Sequence, residues 1–222
     1  MSPWRSDEVP VFFDLDGTLA DSAGGIVASL EHALAACGVP TATIDWRQHI
    51  GPPLQRMLAA ALPDLMPGCR ESIVSAYRAH YATVGIFMTT LFPGVAELIA
   101  EIATRGAVLY VVTNKPQTPA EEIVRHLELD GFVRRVVGGD PAGHGTKPDR
   151  AAQLVTEEGL PRGCFIGDSL DDLAAAERIG ARFLLAGWGY GTARVLAERP
   201  DVAVVEAPNR LVQQIFAGHA EG

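Results

Sequence analysis

The first apolar run of the chain, VFFDLDGTLADS over Val11–Ser22, ends with two carboxylates, Asp14 and Asp16, separated by one leucine and followed by Gly17. Like charges so close together repel, and a fold gains nothing from them unless a positive group arrives to neutralise the pair. Residues two apart in a strand share a face, so Asp14 and Asp16 are expected to project together while Leu15 points away. Gly17 permits a sharp turn, and Thr18 adds a hydroxyl. Asp and Gly are also ordinary turn formers, so this stretch alone leaves a solvated turn equally open.

Three other stretches carry matching chemistry. VVTNK puts Thr113, Asn114 and Lys115 at the end of a second apolar run, and CFIGDSLDD puts Asp168, Ser169, Asp171 and Asp172 at the end of another. Between them, TKPDR sets Lys147 just before a proline suited to starting a helix. Gathered on one edge, several carboxylates, a small hydroxyl and a lysine call for a hard cation, and oxygen-only ligands suit Mg²⁺.

The elements that must position these groups are legible in the pattern. VFF (Val11–Phe13), AVLYVVT (Ala107–Thr113), FVRRVVGG (Phe132–Gly139), CFIGD (Cys164–Asp168) and RFLLAG (Arg182–Gly187) are short, rich in β-branched or aromatic residues, and end in polar or glycine punctuation. They read as buried strands. Helical stripes such as Val95, Leu98, Ile99 and Ile102 lie between them. Strand–helix alternation predicts an α/β fold with a Rossmann-like, mostly parallel sheet covered on both sides, whose ligands bind at the carboxyl ends of the strands.

One region breaks the alternation. From about Asp21 to Gly85 the apolar stripes are helical: Ile26, Leu30, Ala33 and Cys37; then Leu54, Leu58, Ala61 and Leu62; then Ile73, Val74, Tyr77 and Tyr81. Gly38–Pro40, Gly51–Pro53 and Pro67–Cys69 punctuate them. The expected organisation is a catalytic core of residues 1–20 and 87–222, a small helical cap of residues 21–86, and a ligand cleft between the two.

Composition narrows the function class. The chain has 222 residues, 48% of them hydrophobic, enough to bury a sizeable core. A net charge of −9, from 27 acidic and 18 basic residues, argues against a nucleic-acid surface. No apolar stretch reaches the roughly 18 residues of a membrane span, and no signal-peptide core is present, so a cytoplasmic protein without membrane attachment is expected. Cys37, Cys69 and Cys164 are widely spaced and odd in number, which fits free thiols rather than zinc ligands or a disulfide framework. His32, His80, His126 and His219 match no ligand spacing.

In order, DLDGT, TN, the lysine of TKPDR and GDSLDD resemble the four signature motifs of the haloacid dehalogenase superfamily, and the likeness covers nearly the whole chain. A helical insert after the first motif, with the weaker signals HIGPPL and GWGYG, is similar to the phosphoglycolate-phosphatase-like branch. The resemblance implies a Mg²⁺-dependent phosphatase acting on a small phosphorylated metabolite through an aspartyl-phosphate. Asp14 would be the nucleophile and Asp16 the general acid and base. Asp14, Asp168 and the Asp16 carbonyl would hold the metal, and Asp172 would orient its shell. Lys147 would neutralise charge, while Thr113 and the Asn114 backbone would bind the phosphoryl oxygens. Anion meeting anion is the obstacle, at roughly 4 kcal/mol per unit pair near 4 Å, and Mg²⁺ with Lys147 would offset it.

The chain has only two lysines, Lys115 and Lys147, against sixteen arginines. Lys147 matches the family lysine, whereas Lys115 is expected at the cleft rim without a role. With no lysine in the insert and Asp16 present, phosphonate-cleaving and dehalogenating relatives are poor matches. Asp171 is expected to act mainly on the helix dipole. Arg56, near Arg47 and His49, is the candidate for reading a second anionic group on the substrate, an exposed helix face being as good a reading. Gly24–Gly25 and Arg150 depart from the branch's pattern and are expected to leave the chemistry untouched. Trp188 and Tyr190 are expected near the cleft floor. A phosphorylation receiver, or a former phosphatase retained for binding, is the alternative class. Either a monomer or a homodimer fits.

Overall fold

The computed structural model describes residues 8–40, 44–142 and 144–217; His219 lies outside them. Eight strands and nine α-helices are found among the described residues. The central strand β1 (Val9–Phe13) is buried on both faces, which is why its sequence is continuously apolar rather than alternating. The chain then passes β2 (Ala20–Asp21), α1 (Ala23–Ala36), α2 (Leu54–Ala61), α3 (Pro67–His80) and β3 (Thr90–Leu91). From there strands and helices alternate: α4 (Val95–Thr104), β4 (Ala107–Pro116), α5 (Gln117–His126), β5 (Val133–Gly139), α6 (Lys147–Glu158), β6 (Cys164–Gly167) and α7 (Leu170–Ile179). The series ends with β7 (Arg182–Ala186), α8 (Thr192–Glu198), β8 (Val204–Val205) and α9 (Leu211–Phe216).

The six-stranded sheet runs β5-β4-β1-β6-β7-β8 with every pairing parallel. From β1 the chain builds outward through β4 and β5, then returns to the other side of β1 through β6, β7 and β8. Such a reversal opens a crevice at the carboxyl ends of the strands, and it lies beside β1. Register aligns Phe12 with Tyr110 on one neighbour and Phe165 on the other. Their rings stack at 5.5 and 6.1 Å on the face covered by Ala151 and Leu154 of α6 and Ala175 and Ala176 of α7. Val11 and Phe13 point to the opposite face, where α4, α5, α9 and the helical insert bury the larger core.

All five strands expected from the sequence form. Val95, Leu98, Ile99 and Ile102 are all buried on α4. The three helical stripes become α1, α2 and α3, and the last continues through a π-helical turn (Tyr81–Gly85) and a 3₁₀ turn (Ile86–Met88). The antiparallel pair β2–β3 joins the two ends of this insert, with Ala20 opposite Leu91 and Asp21 opposite Thr90. Strands of two residues are too short to show periodicity, so the sequence does not announce them; β8 is hidden for the same reason. Of the cysteines, Cys164 is buried while Cys37 and Cys69 are half-buried, and all three are free.

Candidate active site

Asp14 follows the last residue of β1 and keeps its pairing to β6, donating its N–H to the Ile166 carbonyl at 2.9 Å. Its carboxylate is buried and meets Lys147, the first residue of α6, whose Nζ lies 2.9 Å from Asp14 Oδ1 and 2.6 Å from Asp172 Oδ1. Thr146 caps that helix by accepting from the Asp149 N–H at 3.2 Å, which fixes where Lys147 enters the core. Asp172 belongs to a capping box with Ser169 at the start of α7. Its Oδ2 accepts from the Asp168 N–H (3.2 Å), the Ser169 N–H (2.9 Å) and the Ser169 hydroxyl (2.6 Å). Asp168 accepts in turn from the Gly191 N–H at 2.8 Å and from the Thr18 hydroxyl at 3.4 Å. Gly17 is at φ +89°, and a Cβ on Gly189 would fall 2.0 Å from that of Asp168, so neither position accepts a side chain.

Asp14, Asp168 and Asp172 offer oxygens within 4.8 Å of one another, all buried. Three carboxylates against one ammonium leave a formal excess of two negative charges (3 − 1 = 2). Burial, then the charge of Asp172, push Asp14 up to about 8, against the pull of Lys147. Burial and Asp172 likewise push Asp168 up to about 7. Burial opposes the charge on Lys147, but Asp14 and Asp172 outweigh it and hold the ammonium above its usual range. Asp14 Oδ1 is close to the ammonium yet has no hydrogen bond of good geometry. A buried, oxygen-only cluster with two surplus negative charges fits a hard divalent cation.

Asp16 departs from the expectation that it would share its setting with Asp14. The strand has ended, and the Leu15 carbonyl collects the N–H groups of Thr18, Leu19 and Ala20 in a tight turn. The turn aims Asp16 toward the helical insert, where Lys115 donates to both its oxygens at 3.0 and 2.8 Å. Lys115 is therefore no rim residue. It is buried and sits 4.6 Å from the centroid of the Tyr81 ring, which stacks on Tyr77 at 5.4 Å. Burial opposes its charge, but Asp16 and the two tyrosines hold the ammonium above its usual range.

Thr113 is buried, and its Oγ1 accepts from the Lys115 N–H at 3.2 Å, leaving the hydroxyl proton free to donate. Asn114 forms a junction. Its Nδ2 donates to Asp171 Oδ2 at 2.6 Å and to the Gly51 carbonyl at 3.3 Å, while its Oδ1 accepts from Arg150 at 2.9 Å. Arg150 also donates to the Thr113 carbonyl at 3.0 Å. Arg150 and Asp171 thus both touch the Thr113–Asn114 segment, and Asp171 also lies in the first turn of α7 as expected. The one signal for Lys115 was its rarity, since a chain that uses arginine almost everywhere kept a lysine here.

The cavity of about 330 Å³ beside this cluster is lined by Asp14, Asp16, Thr113, Asn114 and Lys115 on one side and by the helical insert on the other. The Gly51–Pro53 turn, which leads into α2, reaches it. Arg56 does not: it is exposed and outside the lining, because one residue before and one after it, Gln55 and Met57, turn inward instead. Arg47 and His49 also lie outside the lining. Trp188 and Tyr190 are not on the cavity floor. Trp188 donates to the Thr18 carbonyl at 3.0 Å and Tyr190 to Asp21 at 2.5 Å, tying the loop after β7 to the start of the insert. His144 is exposed and pairs with Asp140 at 2.7 Å.

A profile described as haloacid dehalogenase-like hydrolase matches residues 11–186. The chain is 38% identical over 210 residues to tyrosine-protein kinase PtkA of Mycobacterium tuberculosis, covering 93% of this chain and 71% of that protein. It is 32% identical over 208 residues to a phosphoglycolate phosphatase of Aquifex aeolicus, covering 91% and 94%. A solved haloacid dehalogenase-like hydrolase from Streptococcus pneumoniae superposes with a TM-score of 0.83 at 29% identity, over 95% of this chain and 99% of that one. The chain belongs to the haloacid dehalogenase-like hydrolases.

Proposed function

We propose that this haloacid dehalogenase-like hydrolase is a Mg²⁺-dependent phosphatase that cleaves a small phosphate monoester through an aspartyl-phosphate on Asp14. The observation that carries this reading is Asp14 itself: a buried carboxylate at the end of the central strand, beside a buried ammonium and two further carboxylates, opening onto a cavity that also holds Asp16 and Thr113. Residues 21–86 would act as a cap over it.

In the first half-reaction an Asp14 oxygen attacks phosphorus, and the bond from phosphorus to the substrate's leaving oxygen breaks. Asp16 gives its proton to that oxygen. In the second, Asp16 takes a proton from a water whose oxygen attacks phosphorus, and the bond to Asp14 breaks, freeing orthophosphate and the carboxylate. Lys147 offsets the charge of Asp14 during attack, and Thr113 donates its hydroxyl to a phosphoryl oxygen. Lys115, donating to both Asp16 oxygens, fixes where that side chain points. Asp14 and Asp168, with the Asp16 carbonyl, would hold Mg²⁺, which when bound polarises the phosphoryl group and neutralises its charge. Asp172 has both oxygens committed to Lys147 and to the turn at Ser169, so it serves to orient rather than to ligate.

The test is orthophosphate release from a panel of monoesters with Mg²⁺, using Asp14→Asn as the blank. The variant is expected to lose at least about 10⁴-fold in turnover, the scale of removing a covalent nucleophile; substantial residual turnover would overturn the proposal. The similarity to a tyrosine-protein kinase favours a second reading, in which phosphate on Asp14 passes to a tyrosine hydroxyl instead of water. Incubation with ATP and a tyrosine-containing peptide separates the two, because phosphopeptide without free orthophosphate supports only the second.

A further inference from the structure

The part of the cavity away from Asp14 is apolar. Ile26, Ile50, Leu54, Met57, Tyr77 and Tyr81 come from the insert to form its wall. Among the described lining residues only two are basic, and both are engaged. Lys115 is paired to Asp16, and Arg78, exposed at the mouth, donates to the Pro141 carbonyl at 2.6 Å. Glu122 and Asp140 add negative charge to the same lining. Arg56, the one residue that could have met a second anionic group from the sequence, stays outside.

A substrate with a carboxylate or second phosphate on its leaving group would have to bury that charge against hydrocarbon, with Lys115 committed to Asp16 and Arg78 only at the exposed mouth. Burying an unpaired charge is strongly unfavourable. A neutral, flat, apolar group would gain from the same wall, to which Tyr77, stacked on Tyr81, adds an aromatic side chain. At about 330 Å³ the cavity also exceeds what a two-carbon acid needs and enters the range, roughly 300–1,000 Å³, of sites that enclose much larger ligands.

We infer that the leaving group this enzyme accepts is an uncharged, largely apolar alcohol bearing an aromatic ring, and that monoesters with a second anionic group are disfavoured. This rests on the phosphatase reading above and departs from what the name of the phosphoglycolate phosphatase relative would suggest for this chain.

Benzyl phosphate and phosphoglycolate make a suitable pair, since both leave as primary alkoxides of similar basicity and differ in the group attached. The expected result is a kcat/KM for benzyl phosphate at least tenfold above that for phosphoglycolate; equal values or the reverse order would overturn the inference. Calorimetry in Mg²⁺ with benzylphosphonate and phosphonoacetate asks the same question without turnover. Tighter binding of benzylphosphonate supports the inference, and tighter or equal binding of phosphonoacetate refutes it, even if neither ester is hydrolysed and the phosphatase reading fails. Leu54→Lys, which places an ammonium on the wall, is expected to shift the kcat/KM ratio at least fivefold toward phosphoglycolate; an unchanged ratio would also count against it.

Discussion

The chain's two lysines form two aspartate pairs that look alike in sequence and differ in architecture. Lys147 is enclosed by the core: α6 delivers it, α7 and the end of β1 supply its two carboxylates, and its side chain is 1% exposed. Lys115 is enclosed only because the insert folds over it, with Tyr81 as its roof and Asp16 as its partner. The first pair is built into the sheet edge, whereas the second joins two core residues and is roofed by the insert. A buried charge needs a nearby opposite charge wherever it lies, but only the second can be opened to water by moving the insert. On the proposed phosphatase reading, Lys147 would supply the permanent electrostatics of phosphoryl transfer. Lys115 would be a positioning residue whose burial depends on the insert.

The largest effect that sharpens this contrast is expected from Lys147→Ala. Activity should fall about 10³-fold, the scale of removing a preorganised charge from a transition state. Stability without Mg²⁺ should fall by about 3 kcal/mol or more, since the change leaves buried carboxylates uncompensated. Affinity for Mg²⁺ should rise, because the ammonium no longer repels the cation or occupies Asp14. Metal titration followed by calorimetry checks the sign, and weaker binding would show that Lys147 builds the metal site rather than opposing it.

Lys115→Met should cost less, about 10²-fold in kcat, the low end for impairing general acid–base catalysis, with Mg²⁺ affinity unchanged. The readout that separates positioning from simple support is rescue by a conservative change. Lys115→Arg keeps a charged donor for Asp16 and should recover most of kcat, while Lys115→Met should lower kcat with KM little changed. Equal losses in the two variants would break the comparison, leaving both lysines as scaffolding.

Arg150→Met should be smaller still. Arg150 holds Thr113 and Asn114 from behind, and Asn114 alone bridges Asp171 to the Gly51 carbonyl of the insert. Loosening that loop should raise KM for the monoester by about tenfold, or roughly 1.4 kcal/mol, with kcat changed far less. A pure kcat effect would place Arg150 with Lys147 rather than with the cap-dependent group.

How far the sequence reveals these groups follows the same division. Asp14, Asp168, Asp172 and Lys147 are legible because local structure places them: a strand end, a capping box and a helix start each have a sequence signature. Lys115, Asp171 and Arg150 are not, because their partners lie 99, 57 and 36 residues away and meet them only after the sheet assembles. Arg56 is left open between two readings for a related reason. Its spacing fixes a helix but not the rotation of that helix against the cavity, and the packing of α2 turns Met57 inward instead. The apolar character of the cavity wall is invisible for the same reason, since on a helical stripe a cavity-lining residue cannot be told from a core one.

The gentlest probe of the comparison is stability against pH. Asp14 and Asp168 are pushed up to about 8 and about 7, each by burial first and then by Asp172. Between their ordinary values near 3.8 and these raised ones, the folded protein without metal binds more protons than the unfolded chain. Stability from these groups is therefore full below about pH 4 and lost as pH rises through 7 to 8. The melting temperature of the metal-free protein should fall between pH 5 and pH 8. Mg²⁺ needs the carboxylates ionised, so the rise it produces should grow over the same interval, reaching about 2.7 kcal/mol of stabilisation at a hundred times its dissociation constant. Asp14→Asn removes one titrating group and should flatten the metal-free slope, while Lys115→Met, remote from this cluster, should leave that slope as it is. A metal-free protein that gains stability on going from pH 5 to pH 8 would mean that Lys147 suffices to keep the cluster ionised, and the surplus negative charge that calls for a divalent cation would not exist.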